Sequence, residues 1–341
     1  MIRVSQPDHA IFKRGKKRVR RILISFFLVL GACVISLEAP AQLKASHGCA
    51  KPPTSSFVVN VKDEGAKGDG RTDDTAAIQA AIHKIAGTGG TVLVPDGTYM
   101  VDAVGEKRLT LKRDMTLKLS NDAKLKAIPN DSETYTVLDI SGVSNVTVIG
   151  GTLEGEREEH MGNSGEWGMG IRIDRSAEHI TISGVISKKM WGDGFYVDGA
   201  TEVKFCSVIA DNNRRQGLSI IEADRLFVKN STFKNTRGTP PSAGIDLEPD
   251  TPKQKITNVG IYDSQFIDNA GAGILIAGKK SVVSNIQITR NVFGSNRSIV
   301  IKGTCRNQFT GYLSEPSGGL NTFADPTEVF IHENNCRRGR S

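Results

Sequence analysis

The sequence predicts an all-β fold: a single-stranded parallel β-helix whose N-terminal end is closed by one capping helix. Three observations predict it. A glycine-led strand motif recurs in register, a second apolar strand follows each recurrence, and one amphipathic helix precedes them all.

The recurring motif reads glycine, apolar, any residue, apolar. It occurs as Gly170-Ile171-Arg172-Ile173, Gly194-Phe195-Tyr196-Val197, Gly217-Leu218-Ser219-Ile220, Gly244-Ile245-Asp246-Leu247 and Gly273-Ile274-Leu275-Ile276, with 24, 23, 27 and 29 residues between first apolar positions. The following strands carry Ile180/Ile182, Val203/Phe205, Leu226/Val228, Val259/Ile261 and Ile286/Ile288. A propeller blade takes about 40 residues, so a coil of roughly 25 residues with two or three short strands fits a β-helix better. Phe233, Phe266 and Phe293 each follow the second strand by five residues. In stacked coils they form a core column, with neighbours about 4.8 Å apart.

Along the chain, residues 1–41 read as an export signal: a basic stretch, the 16-residue apolar run Ile22–Leu37, then Ala39-Pro40-Ala41. Cleavage after Ala41 is one outcome. Lipidation of Cys33 in Leu30-Gly31-Ala32-Cys33 is another, and an uncleaved anchor is a third. Each delivers the chain across the inner membrane, to the periplasm or the exterior. Only the second and third tie it to a membrane. Residues 42–56 are a linker, residues 57–336 the β-helix, and residues 337–341 a basic tail. Within the β-helix, a strand over Phe57–Val61 is followed by the capping cluster Asp73-Asp74-Thr75. A helix over Ala76–Ala86 then places Ile78, Ile82 and Ile85 on one face. The strand Thr91–Pro95 and a turn over Asp96–Tyr99 come next. Only short strands are predicted beyond it.

The net charge of +7 invites a nucleic-acid reading, but its position argues against one. Of 44 basic and 37 acidic residues, eight basic and two acidic fall in residues 1–41, leaving 36 and 35 for the rest. No stable protein partner is implied. Cys49, Cys206, Cys305 and Cys336 have no CxxC spacing, which argues against zinc. Cys305 with Cys336 is the preferred disulfide, with singly buried thiols as the alternative.

The run Asp69-Gly70-Arg71-Thr72-Asp73-Asp74-Thr75, then Ala77-Ile78-Gln79-Ala80-Ala81-Ile82, Gly89-Gly90-Thr91-Val92 and Pro95-Asp96-Gly97-Thr98-Tyr99, resembles the N-terminal signature of the pectate-lyase-like superfamily. More narrowly, it is similar to rhamnogalacturonase/epimerase-type proteins, and the coil pattern extends the resemblance over residues 57–335. The resemblance implies a right-handed parallel β-helix acting on polysaccharide by hydrolysis, β-elimination or epimerisation. Polygalacturonase-type hydrolases place Asn-Thr-Asp-Gly, Asp-Asp and Gly-His-Gly on successive coils. Here Asp193-Gly194 matches the first, but Arg215-Gln216 and Ala243 stand at the other two. Alginate-epimerase-type modules use Asp-Gly-Phe-Asp-Pro-His-Glu. The segment Asp193-Gly194-Phe195-Tyr196-Val197-Asp198 keeps only its opening. The reaction therefore stays open, with hydrolysis placed ahead of β-elimination, and C5-epimerisation or a non-catalytic β-helix for polysaccharide binding, export or adhesion as alternatives.

Outward positions of stacked strands make columns across which a polysaccharide can lie. The first reads Arg172, Tyr196, Ser219, Asp246, Leu275; the second, two residues on, reads Asp174, Asp198, Ile221, Glu248. Asp198 and Glu248, two coils apart, stand about 9.6 Å apart at the backbone, near the roughly 6.5–9.5 Å of an inverting carboxylate pair. Asp198, Asp246 and Glu248 are thus the candidates for acid–base work, because neighbouring acids raise one another's pKa. Arg215, from the turn Asn212–Gln216, is the candidate reader of an anionic substituent and stabiliser of an enolate. No cofactor is required; Asp174, Asp198 and Asp250 are the candidates for holding Ca²⁺. Arg172, Tyr196, Trp167, Trp191, His160 and Arg214 are candidate substrate contacts. His160 lies in the polar excursion Glu154–Gly168, the expected wall of a cleft, and its bland reading is a solvated loop histidine. Gly87-Thr88-Gly89-Gly90 follows a helix and precedes a strand, the wrong order for a phosphate loop.

Overall fold

The computed structural model describes residues 55–278, 281–294 and 297–302, and the strands Phe309–Tyr312, Thr322–Phe323 and Val329–His332 by their backbone. The export segment, most of the linker, Cys33, Cys49, Cys305, Cys336 and the basic tail lie outside the described residues. Among the described residues no helix is long and apolar enough to cross a membrane.

The described chain is almost entirely parallel strand, wound into about eight turns with one α-helix. Each full coil has three faces, and the inward residues of each face stack coil on coil. On the first face Leu138, Ile171, Phe195, Leu218, Ile245, Ile274 and Ile299 are in register. On the second, Val92, Leu117, Val148, Ile182, Phe205, Val228, Ile261 and Ile288 align. The third carries Tyr99, Leu125, Leu153, Ser187, Ala210, Phe233, Phe266 and Phe293. Nearly all are fully buried, so alternation of apolar and polar residues fixes the register of every coil.

The expected phenylalanine column is present: Phe233 and Phe266 stack at 5.5 Å, and Phe266 and Phe293 at 4.9 Å. The glycine of the repeated motif has its own cause. A Cβ on Gly170, Gly194, Gly217 or Gly244 would stand 2.5, 2.7, 2.4 or 2.6 Å from the carbonyl oxygen of the motif glycine one coil on. Only a residue without a side chain lets successive coils approach there.

Three details differ from the sequence reading. The coils begin earlier, because Met115–Leu119, Ala123–Ala127, Thr134–Ser141 and Ser144–Ile149 are strands already in the stack. Gly97–Val101 is a strand where a turn was expected, since buried Tyr99 and Val101 point into the core. The helix runs Thr75–Ile85 and buries Ile78, Ile82 and Ile85 over the first coil as predicted. Its Asp74, however, caps nothing: both carboxylate oxygens accept instead from the amides of Lys67 and Gly68.

Candidate active site

The outward column stands as the spacing predicts, with Arg172, Tyr196, Ser219, Asp246 and Leu275 in register on five successive strands. The second column does not. Ile221 is an extra residue in its strand, so Asp198 pairs with Glu222 across the bulge. The Ile221 side chain packs instead against Met169 and Tyr196.

The chemistry converges on Arg215, which lies just ahead of the strand Gln216–Lys229. Its Nη1 is 3.2 Å from Asp193 Oδ2 and donates at 3.3 Å to Ser219 Oγ. Its Nη2 is 3.4 Å from Glu248 Oε2, and its Nε is 3.7 Å from Glu166 Oε2. Ser219 Oγ donates to the same Asp193 oxygen at 2.8 Å. Gln216 is fully buried: its amide nitrogen donates to Asp246 Oδ2 at 2.8 Å, while its oxygen accepts from the Ala243 amide at 2.7 Å. The four carboxylates fall into two layers. Asp193 and Asp246 are fully buried, whereas the side chains of Glu248 and Glu166 are 20% and 35% exposed.

Burial sets the protonation. It pushes the Asp193 carboxyl up from 3.8 to about 6, although the Arg215 charge and the Ser219 hydrogen bond pull it back. Asp246 is raised well above the usual carboxylate range, first by burial and then by the charge of Glu248 beside it. For Arg215 burial works downward and is outweighed by Asp193, Glu166, Glu248 and Asp246, which keep the guanidinium charged. One face of the site is aromatic. Trp167 is 37% exposed, lies edge-on to Tyr196 at 6.5 Å, and has the Arg215 guanidinium 5.5 Å from its ring centre.

Asp246, Glu248 and Arg215 are thus brought together as expected, and Asp198 is not. Asp198 accepts from Gln254 Nε2 at 3.2 Å. Burial raises its pKa and the Gln254 hydrogen bond lowers it, and the nearby charges of Glu222, Asp174 and Asp250 raise it further. Asp174, taken with Asp198 and Asp250 for Ca²⁺, is buried and paired at 2.5 Å with Arg172, so both residues are engaged with each other. Among the described residues no group of three or more His, Cys, Asp or Glu side chains is placed to hold a metal ion.

Three expected substrate contacts spend their faces on one another. The His160 side chain is fully buried, neither solvated nor open to a ligand, with Nδ1 2.9 Å from Glu156 Oε2. Its ring stacks on Trp191 at 3.9 Å, and the Arg214 guanidinium lies 3.9 Å from the same indole. Trp191 Nε1 donates to the Ser164 carbonyl and Arg214 Nη1 to the Gly165 carbonyl, at 3.1 and 2.7 Å. This group holds the excursion against the coils, which is how Glu166 and Trp167 reach the site. Tyr196 is buried beneath Trp167. Asp193, Glu166, Ser219 and Gln216 belong to the site as well, beyond the residues predicted for it. Asp193-Gly194 matches a family motif and Ser219 stands in the outward column, whereas Glu166 and Gln216 carry no local motif.

Comparison with known proteins places these features. Residues 58–117 match the family described as rhamnogalacturonase A/epimerase, pectate lyase-like, and residues 140–335 match that described as right handed beta helix region. The uncharacterized protein YclG of Bacillus subtilis (strain 168) is 28% identical over 310 residues, covering 77% of this chain and 51% of its own. A mannuronan C5-epimerase of Azotobacter vinelandii is 33% identical over 192 residues, covering 52% of this chain and 35% of its own. The chain thus spans about half and about a third of these relatives. In fold alone it is similar to PfbA, a surface adhesin of Streptococcus pneumoniae, with a TM-score of 0.56 and 19% identity over 80% of this chain and 68% of that one.

Proposed function

We propose that this chain, which belongs to the right-handed β-helix family and opens with a pectate lyase-like segment, acts on a polysaccharide through carboxylate chemistry at the Arg215 cluster. The observation that carries this is the convergence of three carboxylates on one guanidinium with a fourth, Asp246, close enough to act on it, and burial raising the pKa of Asp193 and Asp246. A structural ion pair needs one partner. Four acids around one base leave carboxyl groups with no counter-charge, a cost that is understandable if protons are exchanged there.

Glycoside hydrolysis fits the layers best. Burial and the charge of Glu248 raise the pKa of Asp246, which makes Asp246 the proton donor of the pair, and Glu248 is the member that reaches solvent. The Asp246 proton would pass by way of Glu248 to the glycosidic oxygen. Glu166, beside the same guanidinium, would take a proton from the attacking water, with a sugar ring lying on Trp167. Arg215 has its charge already compensated, so it orients the carboxylates and does not read an anionic substituent of the substrate. The second reading, proton abstraction next to a uronate carboxylate leading to β-elimination or epimerisation, is favoured by the mannuronan C5-epimerase relative. The export-type segment would deliver the protein to the periplasm or cell exterior, and no metal is needed for either reading.

The test is to incubate the purified protein with a panel of acidic and neutral polysaccharides, following reducing ends and the absorbance of unsaturated uronates. Glu248→Gln and Glu166→Gln serve as folded controls. Reducing ends without absorbance, lost in both variants, is the expected result. Absorbance as well would establish elimination. Turnover that survives in both variants would remove the Arg215 cluster from the chemistry.

A further inference from the structure

The reacting cluster sets one guanidinium against four carboxylates, so it repels any further acidic group brought to it. A second charged feature lies next to it with the opposite balance. A cleft of about 500 Å³ is lined by Lys188, Lys189, Asp211, Asn212, Asn235 and Arg237. These residues come from three successive turns, and the same turns lead into the reacting cluster. Lys188 and Lys189 precede Asp193, Asp211 and Asn212 precede Arg215, and Asn235 and Arg237 lie on the chain running to Asp246.

Charge pairing around this cleft is uneven. Each lysine has a carboxylate: Lys188 pairs with Glu154 at 3.2 Å, Lys189 with Glu158 at 2.7 Å, and nearby Lys234 with Asp211 at 3.5 Å. Among the described residues, the three arginines at this cleft donate only to neutral acceptors. Arg157 Nη1 donates to the carbonyl and side-chain oxygens of Asn212, at 3.0 and 2.9 Å. Arg214 Nη1 donates to the Gly165 and Trp191 carbonyls, at 2.7 and 3.4 Å, and Arg237 Nη2 to the Asp268 carbonyl at 3.3 Å. The three lie close together. A Cβ on Gly238 would sit 3.4 Å from Arg157 Nη2 and 2.8 Å from Arg214 Cγ. Burial lowers the Arg157 pKa; Glu158 opposes that, and the charges of Arg214 and Arg237 add to it. Crowding three guanidiniums with no directly paired carboxylate is unfavourable until an anion arrives. Arg214 adds charge, its face and Nη1 being taken by Trp191 and two carbonyls, while Arg157 and Arg237 are the planar forked donors that suit a carboxylate or sulfate ester.

We propose that the cleft between Lys188 and Arg237, backed by Arg157 and Arg214, is an anion subsite that receives an acidic sugar residue of a polysaccharide whose neighbouring part lies at the Arg215 cluster. This rests on the reading that the ligand is a polysaccharide, and it adds which class: a polymer with an acidic group on a residue away from the reacting bond. The division of labour follows from the charges. Binding the anion here gains charge-assisted hydrogen bonds, while the acid-rich cluster faces an uncharged portion of the chain.

The full chain is titrated calorimetrically with two oligosaccharides in which each uronate is flanked by neutral sugars, one of galacturonate and rhamnose and one of glucuronate and xylose, and with the carboxyl-reduced form of each, at low and high salt. Arg237→Glu and Lys188→Gln are compared with the wild type, and circular dichroism verifies their fold. The expected result is that at least one acidic oligosaccharide binds at least about tenfold more tightly than its reduced form, with an advantage that shrinks in salt. Arg237→Glu should abolish the advantage and Lys188→Gln should reduce it. Equal binding of acidic and reduced forms, no binding of either acidic probe, or undiminished preference in Arg237→Glu would each overturn the subsite. The two readings fail separately. Arg237-dependent binding without any turnover would keep the subsite and remove the catalytic proposal. Turnover at wild-type affinity in Arg237→Glu would do the reverse.

Discussion

Replacing Asp193 with Asn should change how the stability of this protein depends on pH, by an amount the structure sets. Asp193 is fully buried, and its carboxyl is raised from 3.8 to about 6, chiefly by burial. An unfolded chain returns it to its ordinary value. Between those two values the folded protein holds a proton that the unfolded chain has released, so stability falls as pH rises through this window. The loss begins above about pH 3.8 and is complete just above pH 6; at about 1.36 kcal/mol per pKa unit it amounts to about 3 kcal/mol. The Asp193→Asn side chain has nearly the same shape and still offers Ser219 and Arg215 an oxygen acceptor, but it does not titrate. Urea unfolding of both proteins, followed by circular dichroism, should therefore show the variant gaining about 3 kcal/mol relative to wild type between about pH 3.5 and about pH 7.5. Contributions from carboxylates outside the cluster cancel in that difference, and the Asp193 charge raises Asp246 less than burial and Glu248 do. A difference that stays flat to within about 0.5 kcal/mol would refute the reasoning, as would one favouring the wild type at the higher pH.

Three further outcomes are expected. Phe266→Ala removes the middle of a fully buried stack and should cost about 3–5 kcal/mol in urea unfolding, whereas Val292→Ala, one position from the same column but exposed, should stay within about 0.5 kcal/mol. Gly217→Ala brings a Cβ to 2.4 Å from the Gly244 carbonyl oxygen and 2.9 Å from Phe233. Its cost should be about 1–3 kcal/mol by the same assay, and a neutral result would mean that the coils can separate there. Trp167→Ala, at an exposed ring, should leave the melting temperature unchanged and weaken oligosaccharide binding by up to about tenfold in calorimetric titration.

How much of this was legible in the chain follows from what a β-helix is. Each coil repeats the same inward and outward pattern at a short period, and stacking in register turns that pattern directly into columns. The phenylalanine ladder, the core of each face from Gly170 onward and the outward series Arg172 to Leu275 were therefore readable from spacing alone. The earlier coils were harder to see, because Thr116-Leu117-Lys118-Leu119 and Val146-Thr147-Val148 alternate without the glycine that marks the later ones. What spacing does not determine is where register breaks and where long side chains turn. A single bulge at Ile221 moved Asp198 out of line with Glu248 and set it among Glu222, Asp174 and Asp250.

Only the tertiary structure decided the membership of the site. Arg215 reaches Asp193 on the preceding coil, Glu248 on the following one and Glu166 on the excursion, groups between 22 and 49 residues away along the chain. His160, Trp191 and Arg214, which look like ligand contacts as isolated residues, are consumed in holding that excursion in place. The sequence by itself determined the scaffold, because periodic burial of apolar side chains is a local property repeated many times. The convergence of three carboxylates on one guanidinium, with Asp246 beside them, is a single, non-repeated event. It depends on side-chain direction across three coils and one loop, and no local pattern records that.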